Sequence, residues 1–200
     1  PAAKQYAYGI DAGRFLRRIH SSPAPETQED WGIRFNRKID RKLASYEACP
    51  LKYENGQAEA FIDYINKNRH LPYGRPQTFQ HGDYHIGNMM IGRDGKLYII
   101  DFNRCDFGDP WEEFNRIVWC AQKVPVFASG MVDGYFDKSV PMDFWKLLAL
   151  YISSNTLSSL PWAVPFGEKE IATMRNQAND VFNWYKGMSD PVPAWYCKSL

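Results

Sequence analysis

Apolar residues recur at helical spacing over most of this chain. In residues 9–20 the apolar positions share one helical face, and Asp11 is a candidate N-cap. The same periodicity predicts helices over residues 30–48, 56–68, 110–123, 128–137, 141–159 and 168–187. Prolines punctuate the second half of the pattern, at Pro125, Pro141, Pro161 and Pro165. The chain is therefore predicted to be mainly α-helical.

The period changes after the third predicted helix. Two short apolar runs, at residues 89–91 and 97–100, flank a turn that contains Asp94 and Gly95. An Asp-Gly pair between such runs indicates a β-hairpin, in which 89–91 pairs with 97–100. The predicted fold class is accordingly α+β, mainly α, with one small hairpin inserted into a helical body.

Composition narrows the class of protein. The 200 residues suit one domain, and a hydrophobic content of 44% supports a sizeable core. With 24 basic and 23 acidic residues the net charge is +1, which gives no general attraction to nucleic acid or to an anionic membrane. No stretch resembles a signal peptide or a membrane span, and the four cysteines lack C-x-x-C spacing. We expect one domain over residues 1–200 in a cytoplasmic protein with reduced thiols, and neither a nucleic-acid nor a membrane partner.

Polar residues that could carry chemistry concentrate around the predicted hairpin. Asn88 directly precedes the first strand, Asp101 directly follows the second, and Asp83 lies in the loop before Asn88. Because antiparallel pairing brings the outer strand ends together, Asn88 and Asp101 are expected to lie side by side, close to Asp83. Oxygen ligands of this kind suit Mg²⁺, which takes one or two carboxylates together with substrate phosphates. The cluster therefore predicts a magnesium site beside Asp83.

The spacing within this cluster matches a kinase catalytic loop. Kinases carry H-R-D, four further residues and Asn, and later D-F-G. Here HGD at residues 81–83 is followed by four residues and Asn88, and DFN stands at 101–103. Glycine in place of arginine, and asparagine in place of glycine, set the chain apart from a typical protein kinase.

Several segments together resemble one family of small-molecule kinases. The motifs HGDYHIGNMMI, LYIIDF and GDPWEEF, with GRFLRRIHS nearer the N-terminus, resemble the aminoglycoside phosphotransferase family, which is related to choline kinase. The resemblance covers residues 9–120 in order. It implies a protein-kinase-like C-terminal lobe, whose small hairpin carries the catalytic residues.

The resemblance also assigns roles to individual residues. It implies that Asp83 accepts or orients the proton of the acceptor hydroxyl and that His81 braces the catalytic loop. Asn88 and Asp101 would hold Mg²⁺ on the phosphates of the nucleotide, which could be ATP or GTP. One carboxylate of the GDPWEEF segment would lock the loop from the following helix.

Some assignments stay open at this point. Glu113 and Asp109 are both candidates for the carboxylate that locks the loop. His85 could form a hydrogen bond within the loop or contact the substrate. His20 and His70 lie near helix ends and are expected to take no part in the chemistry.

The implied function is ATP- or GTP-dependent O-phosphorylation of a small hydroxylated molecule, as in aminoglycoside kinases that confer antibiotic resistance. The alternatives are a choline, sugar or homoserine kinase on the same fold and a non-catalytic kinase-like module that binds a ligand or partner. Retention of Asp83, Asn88 and Asp101 together disfavours the non-catalytic module.

The family also carries an N-terminal lobe, a sheet with a phosphate-contacting lysine, and no such pattern precedes residue 9. We expect a C-terminal lobe cut from a longer kinase in preference to a natural half, and a chain that is inactive without the missing lobe. The uncovered surface should border residues 1–10 and the hairpin around Met89, Met90, Leu97 and Ile99. Self-association through that surface is expected, because large exposed apolar patches tend to find partners.

Overall fold

The computed structural model describes residues 2–197 and is mainly helical, as the periodicity predicts. The α-helices of this part of the chain are α1 (Ala2–Ile19), α2 (Trp31–Ala48), α3 (Gln57–Asn68), α4 (Ile117–Lys123), α5 (Pro125–Phe136), α6 (Met142–Ala163) and α7 (Glu168–Trp184). Short 3₁₀ turns occupy Ile86–Asn88, Glu112–Arg116 and Val164–Phe166. All the predicted helices are present, although the segment predicted at 110–123 divides into a 3₁₀ turn and α4.

Two details of the helix prediction are wrong. Asp11 is not an N-cap, because α1 begins at Ala2 and Asp11 is an exposed residue in its middle. Pro161 does not end a helix, because α6 continues through it to Ala163. Pro125 behaves as a boundary should, since it lies in the first turn of α5, where no N–H group is needed.

The strands form two separate antiparallel pairs. The predicted hairpin consists of β2 (Met89–Ile91) and β3 (Leu97–Ile99), with Met89 opposite Ile99. The second pair joins β1 (Thr78–Gln80) to β4 (Asp106–Gly108), and the sequence analysis did not predict it. Both of its strands have three residues, too few for an alternating pattern to stand out.

The described residues divide into two compact units. Among the described residues, the first comprises 2–28, 76–144 and 195–197, and the second comprises 29–75 and 145–194. All the predicted site residues belong to the first unit.

Helices α1 and α5 cross closely in the first unit because glycines line their contact. A Cβ atom on Gly13 would collide with the main chain of α5 near Met131, and one on Gly134 would collide with the main-chain oxygen of Ile10. Close approach of backbones requires small residues at such a crossing. This contact holds α1 against α5, and the hydroxyl group of Tyr8 in α1 donates a hydrogen bond of 3.0 Å to the carbonyl of Gly95 in the hairpin turn.

The second unit has an aromatic core among its helices. Trp31 and Phe35 of α2 are fully buried, and the ring of Phe35 packs edge-on against that of Tyr151 from α6 at 4.7 Å between centroids. The indole N–H of Trp31 donates to the hydroxyl oxygen of Tyr151 at 3.1 Å, so the buried polar atom of this tryptophan is satisfied. Asp30 caps the start of α2 by accepting from the main-chain N of Ile33.

One side of the hairpin exposes apolar side chains. Met90, Tyr98 and Ile100, which we call the hairpin face, are 55%, 49% and 42% exposed. Met89, Leu97 and Ile99 are only partly exposed. Among residues 2–197, no helix combines the length and the apolar character needed to cross a lipid bilayer.

Candidate active site

The loop between β1 and β2 holds Asp83 in a compact turn. Its last residues, Ile86–Asn88, form a 3₁₀ turn that is capped by His85, whose Nδ1 accepts from the main-chain N of Gly87 at 3.0 Å. The side chain of Asn88 closes the loop, because its Nδ2 donates to the carbonyl oxygen of Asp83 at 2.9 Å. The same Nδ2 lies 3.4 Å from Oδ2 of Asp83. Asp83 and Asn88 therefore meet as the motif predicts.

The hairpin brings the main chain of Asp101 to the same place. The pairing of Met89 with Ile99 continues for one more step, because the main-chain N of Ile100 donates to the carbonyl of Asn88 at 3.0 Å. Asp101 follows Ile100 directly and has a positive φ of 65°. Aspartate tolerates this left-handed conformation better than most residues. The chain thus turns sharply at Asp101 as it leaves the hairpin.

His81 connects the catalytic loop to the hairpin through its imidazole ring. Its Nε2 lies 2.9 Å from the carbonyl oxygen of Ile100, which can only accept, so Nε2 carries the proton. Its Nδ1 accepts from the main-chain N of Asp83 at 3.3 Å. Both ring nitrogens are therefore occupied by backbone groups, and His81, which is fully buried, supports the loop.

Glu113 supports the loop from the opposite side. Its carboxylate accepts from the main-chain N of His81 at 3.0 Å and from that of Gly82 at 2.5 Å. It also accepts from Nε2 of His20 at 2.9 Å. Asp109 has a different position, since its Oδ1 accepts from the main-chain N of Trp111 at 2.9 Å. Of the two candidates left open by the sequence, Glu113 contacts the catalytic loop directly, through two main-chain N–H groups.

His20 is a residue that the sequence analysis missed. It is buried at the end of α1, and its Nδ1 lies 3.0 Å from the hydroxyl of Tyr135 while Nε2 binds Glu113. We expected no part for His20, and it supports the residue that holds the loop. His70 is exposed, as its position near a helix end suggested.

Positive charge surrounds the carboxylate of Asp83. The Nε atom of Arg116 lies 3.5 Å from Oδ1, and a guanidinium nitrogen of Arg104 lies 3.9 Å from Oδ2. Nε2 of His85 lies 3.7 Å from Oδ1. Burial lowers the pKa of the His85 imidazole below its usual value, and the charge of Asp83 offsets only part of that effect.

The sequence analysis did not single out either arginine. Arg116 follows Glu113 by three residues, and residues at that spacing share one side of a helical turn. This spacing could have suggested that Arg116 faces the catalytic loop. No sequence pattern indicates the position of Arg104, since its contact with Asp83 depends on how the chain returns from the hairpin.

The donor groups at this site fit a magnesium ion bound together with phosphates. The bond from Nδ2 of Asn88 to Asp83 directs the amide oxygen Oδ1 elsewhere, and within residues 2–197 no protein group donates to that oxygen or to the exposed carboxylate of Asp101. One carboxylate and one amide oxygen are a typical protein contribution to a magnesium site that phosphates complete. No cluster of three or more His, Cys, Asp or Glu ligands occurs in the described chain, so a metal held by protein side chains of those types alone has no site there.

A cavity of about 490 Å³ lies apart from these residues, within the second unit. It is formed by α2, α3 and the segment between them, and its walls include Tyr46, Tyr53 and Lys52. The Lys52 ammonium group donates to three main-chain carbonyls near the end of α2, so it is already engaged. None of the predicted site residues lines this cavity.

Comparisons with known proteins identify a family and a fold. The APH family model, described as "Phosphotransferase enzyme family", matches residues 1–146. No curated protein sequence matches the chain.

Solved structures with the same fold have low sequence identity to this chain. A thermostable mutant of aminoglycoside phosphotransferase APH(4)-Ia, in a ternary complex with ADP and hygromycin B, superposes with a TM-score of 0.65 at 13% identity over 92% of this chain and 66% of its own. A choline/ethanolamine kinase family protein from Mesorhizobium loti superposes with a TM-score of 0.66 at 14% identity, over 92% of this chain and 64% of its own. The GDP complex of wild-type aminoglycoside 2'-phosphotransferase-IIIa superposes with a TM-score of 0.60 at 14% identity, over 90% of this chain and 62% of its own. The chain thus spans a little under two thirds of the length of these structures, and its mainly helical, kinase-like fold is confirmed.

Proposed function

Because this chain belongs to the phosphotransferase enzyme family, we propose that the protein transfers the γ-phosphoryl group of a nucleoside triphosphate to a hydroxyl group of a small molecule. One observation carries the proposal: Asp83 is held in a loop that Asn88, His81 and Glu113 fix by hydrogen bonds, beside the turn at Asp101. Such fixed geometry is what phosphoryl transfer requires of a protein, since catalysis of this reaction is mostly positioning and charge stabilisation.

In the proposed reaction the acceptor hydroxyl binds against the carboxylate of Asp83. Its oxygen forms a bond to the γ-phosphorus, the bond from that phosphorus to the bridging oxygen of the nucleotide breaks, and the hydroxyl proton passes to Asp83. The products are the phosphorylated acceptor and a nucleoside diphosphate. General base catalysis of this kind contributes about 10²- to 10⁴-fold in rate.

Asn88 and Asp101 would hold Mg²⁺, through the amide oxygen and the carboxylate. A bound magnesium ion neutralises the charge of the nucleotide phosphates and orients them. His81 positions both halves of this site, because its two ring nitrogens bind the main chain at Asp83 and at Ile100.

The nucleotide itself, ATP or GTP, belongs to the proposal. The solved structures named above include an ADP complex and a GDP complex, and this chain spans a little under two thirds of their length. We expect the 200-residue chain alone to be a poor catalyst and to bind ATP about a thousandfold more weakly than a full-length kinase, a difference of about 4 kcal/mol. Equal ATP affinities in calorimetry would show that the nucleotide site lies wholly within these residues.

The decisive experiment is the Asp83→Asn substitution in the full-length protein. We expect it to abolish most phosphoryl transfer while nucleotide binding stays unchanged, because asparagine cannot accept the hydroxyl proton. Asp11→Asn, an exposed change on α1, is the matched control and should leave turnover unaltered. Near-normal turnover by Asp83→Asn would remove the catalytic role of Asp83, whereas no turnover by the unaltered protein would favour a non-catalytic module.

A further inference from the structure

The carboxylate of Asp83 has unusual surroundings for a general base, because its charged neighbours are cations. Arg116 approaches Oδ1 at 3.5 Å and Arg104 approaches Oδ2 at 3.9 Å. Within residues 2–197, neither guanidinium makes a second ion pair or a hydrogen bond to the protein. Each guanidinium offers five N–H donors in a planar fork. Most of that donor capacity is therefore available at the place where the acceptor must bind.

Both arginines are fixed to the catalytic loop through their backbones. Arg116 ends the 3₁₀ turn Glu112–Arg116, in which Glu113 binds the loop, and its side chain is only 29% exposed. The main chain of Arg104 lies against Gly82, which has a φ of 83° and on which a Cβ atom would collide with the carbonyl oxygen of Arg104, but the Arg104 side chain is 66% exposed. The position of the Arg116 cation therefore follows from the architecture of the loop, whereas the Arg104 guanidinium is a surface group.

The two arginines lie on different sides of the Asp83 carboxylate. Arg116 and His85 face Oδ1, whereas Arg104 and Asn88 face Oδ2. Oδ2 is thus the oxygen nearer to Asn88, the proposed metal ligand, and Oδ1 is the oxygen nearer to Arg116. Arg116 is thus the cation that an acceptor molecule meets when its hydroxyl binds at Oδ1.

We propose that the acceptor carries an anionic group, a carboxylate or a phosphate, close to the hydroxyl that is phosphorylated, and that Arg116 binds this group. This inference rests on the proposed phosphotransferase function. Guanidinium groups bind carboxylates and phosphates in bidentate fashion, which fixes both position and orientation. An ammonium group at the same place would face the like charge of Arg116. Hydroxy acids and sugar phosphates fit this environment, and polycationic aminoglycosides or choline do not.

The first test compares acceptors that share a skeleton and differ in charge. The full-length protein is assayed for nucleoside diphosphate release with glucose, gluconate and glucose 6-phosphate, and with choline and hygromycin B as cationic acceptors. We expect kcat/KM for at least one anionic sugar to exceed that for glucose by tenfold or more. Gluconate and glucose 6-phosphate distinguish a carboxylate from a phosphate. Preferential turnover of choline or hygromycin B would overturn the inference.

The second test changes Arg116. Arg116→Gln should raise KM for the anionic acceptor about 10- to 100-fold, since hydrogen bonds to charged groups contribute about 1.5–3 kcal/mol. Arg116→Lys keeps the charge and loses the bidentate fork, so its KM for the anionic acceptor should fall between those of the unaltered protein and Arg116→Gln. The KM for the nucleotide should change little, and Arg14→Gln, an exposed change on α1, should alter neither constant. An effect of Arg116→Gln on the nucleotide KM alone would assign this arginine to the nucleotide and overturn the inference.

The Asp83→Asn variant separates this inference from the proposed function. If Asp83→Asn abolishes turnover of a cationic acceptor, the phosphotransferase stands and the anionic acceptor is wrong. If no acceptor of any charge is phosphorylated, the proposed function fails and this inference fails with it. If Asp83→Asn remains active, the acceptor hydroxyl does not bind at Asp83, and the inference that places its anionic group at Arg116 is overturned while the phosphotransferase stands.

Discussion

Replacing Glu113 by glutamine tests the support of the catalytic loop directly. The Glu113 side chain is 1% exposed and accepts three hydrogen bonds, from the main-chain N of His81, the main-chain N of Gly82 and Nε2 of His20. Glutamine has almost the same size but only one acceptor oxygen. Its NH₂ group must face at least one of these donors, because one carboxylate oxygen takes Gly82 and the other takes His81 and His20.

The loss of stability in Glu113→Gln follows from the more favourable of the two orientations of the glutamine amide. With the carbonyl oxygen on His81 and His20, the N–H of Gly82 loses its partner, and a buried donor without a partner costs about 1–3 kcal/mol. The two remaining bonds lose their charge assistance, which is about half of their strength. We expect Glu113→Gln to lower the free energy of unfolding by about 2–4 kcal/mol, and Glu113→Ala, which strands all three donors, by about 3–5 kcal/mol.

Urea unfolding of the 200-residue chain, followed by circular dichroism, measures this difference. Glu112→Gln is the matched control, because the neighbouring carboxylate makes no hydrogen bond or ion pair in the described chain and should change the free energy by no more than about 0.5 kcal/mol. Glu113→Asp keeps the charge but has a shorter side chain, so its free energy of unfolding should fall between those of the unaltered chain and Glu113→Gln. If Glu113→Gln and Glu112→Gln unfold at the same urea concentration, Glu113 does not hold the loop.

Three other predictions test the fold. Gly134→Ala should lower the free energy of unfolding by about 1–3 kcal/mol in urea, because the added methyl group meets the main chain of Ile10. This loss exceeds the gain from the better helix propensity of alanine. Asp11→Ala, on the exposed side of α1, is the control and should be nearly neutral. At pH 8 a thiol reagent should modify exposed Cys105 quickly and Cys120 only after unfolding, since burial raises the pKa of Cys120 to about 12; equal rates for the two would contradict the burial. The 200-residue chain should self-associate through the hairpin face, and sedimentation of a monomer at high micromolar concentration would refute this.

Periodicity predicted the helices well because burial and helical period coincide in most of them. Trp31, Phe35 and Ile39 are all buried and lie on the face of α2 that the spacing indicated. The start of α1 escaped the analysis because α1 packs through Gly9 and Gly13, and a contact made by missing side chains leaves no apolar stripe to detect. The pairing of β1 with β4 escaped for a similar reason, since strands of three residues show no period.

At the site, the motif predicted that Asp83 and Asn88 meet, and tertiary contacts decided the positions of the supporting residues. Asp83 and Asn88 are joined by a local hydrogen bond, so their spacing alone was informative. The choice between Glu113 and Asp109 depended on which carboxylate reaches His81, and that distance cannot be predicted from local sequence. His20 was missed because its partner, Glu113, lies 93 residues further along the chain.

The glycine that distinguishes this motif from a typical protein kinase has a steric explanation. Gly82 has a φ of 83°, where a side chain is strained, and the space that a Cβ would need is taken by the main chain of Arg104. An arginine at this position would force the segment after Asp101 away from the loop and carry Arg104 with it. Gly82 therefore lets the segment that follows Asp101 return close to Asp83, and it brings the cationic side chain of Arg104 toward the catalytic carboxylate in the same step. The substitution that makes the motif unlike a protein kinase is, on this argument, part of what sets the charge around Asp83.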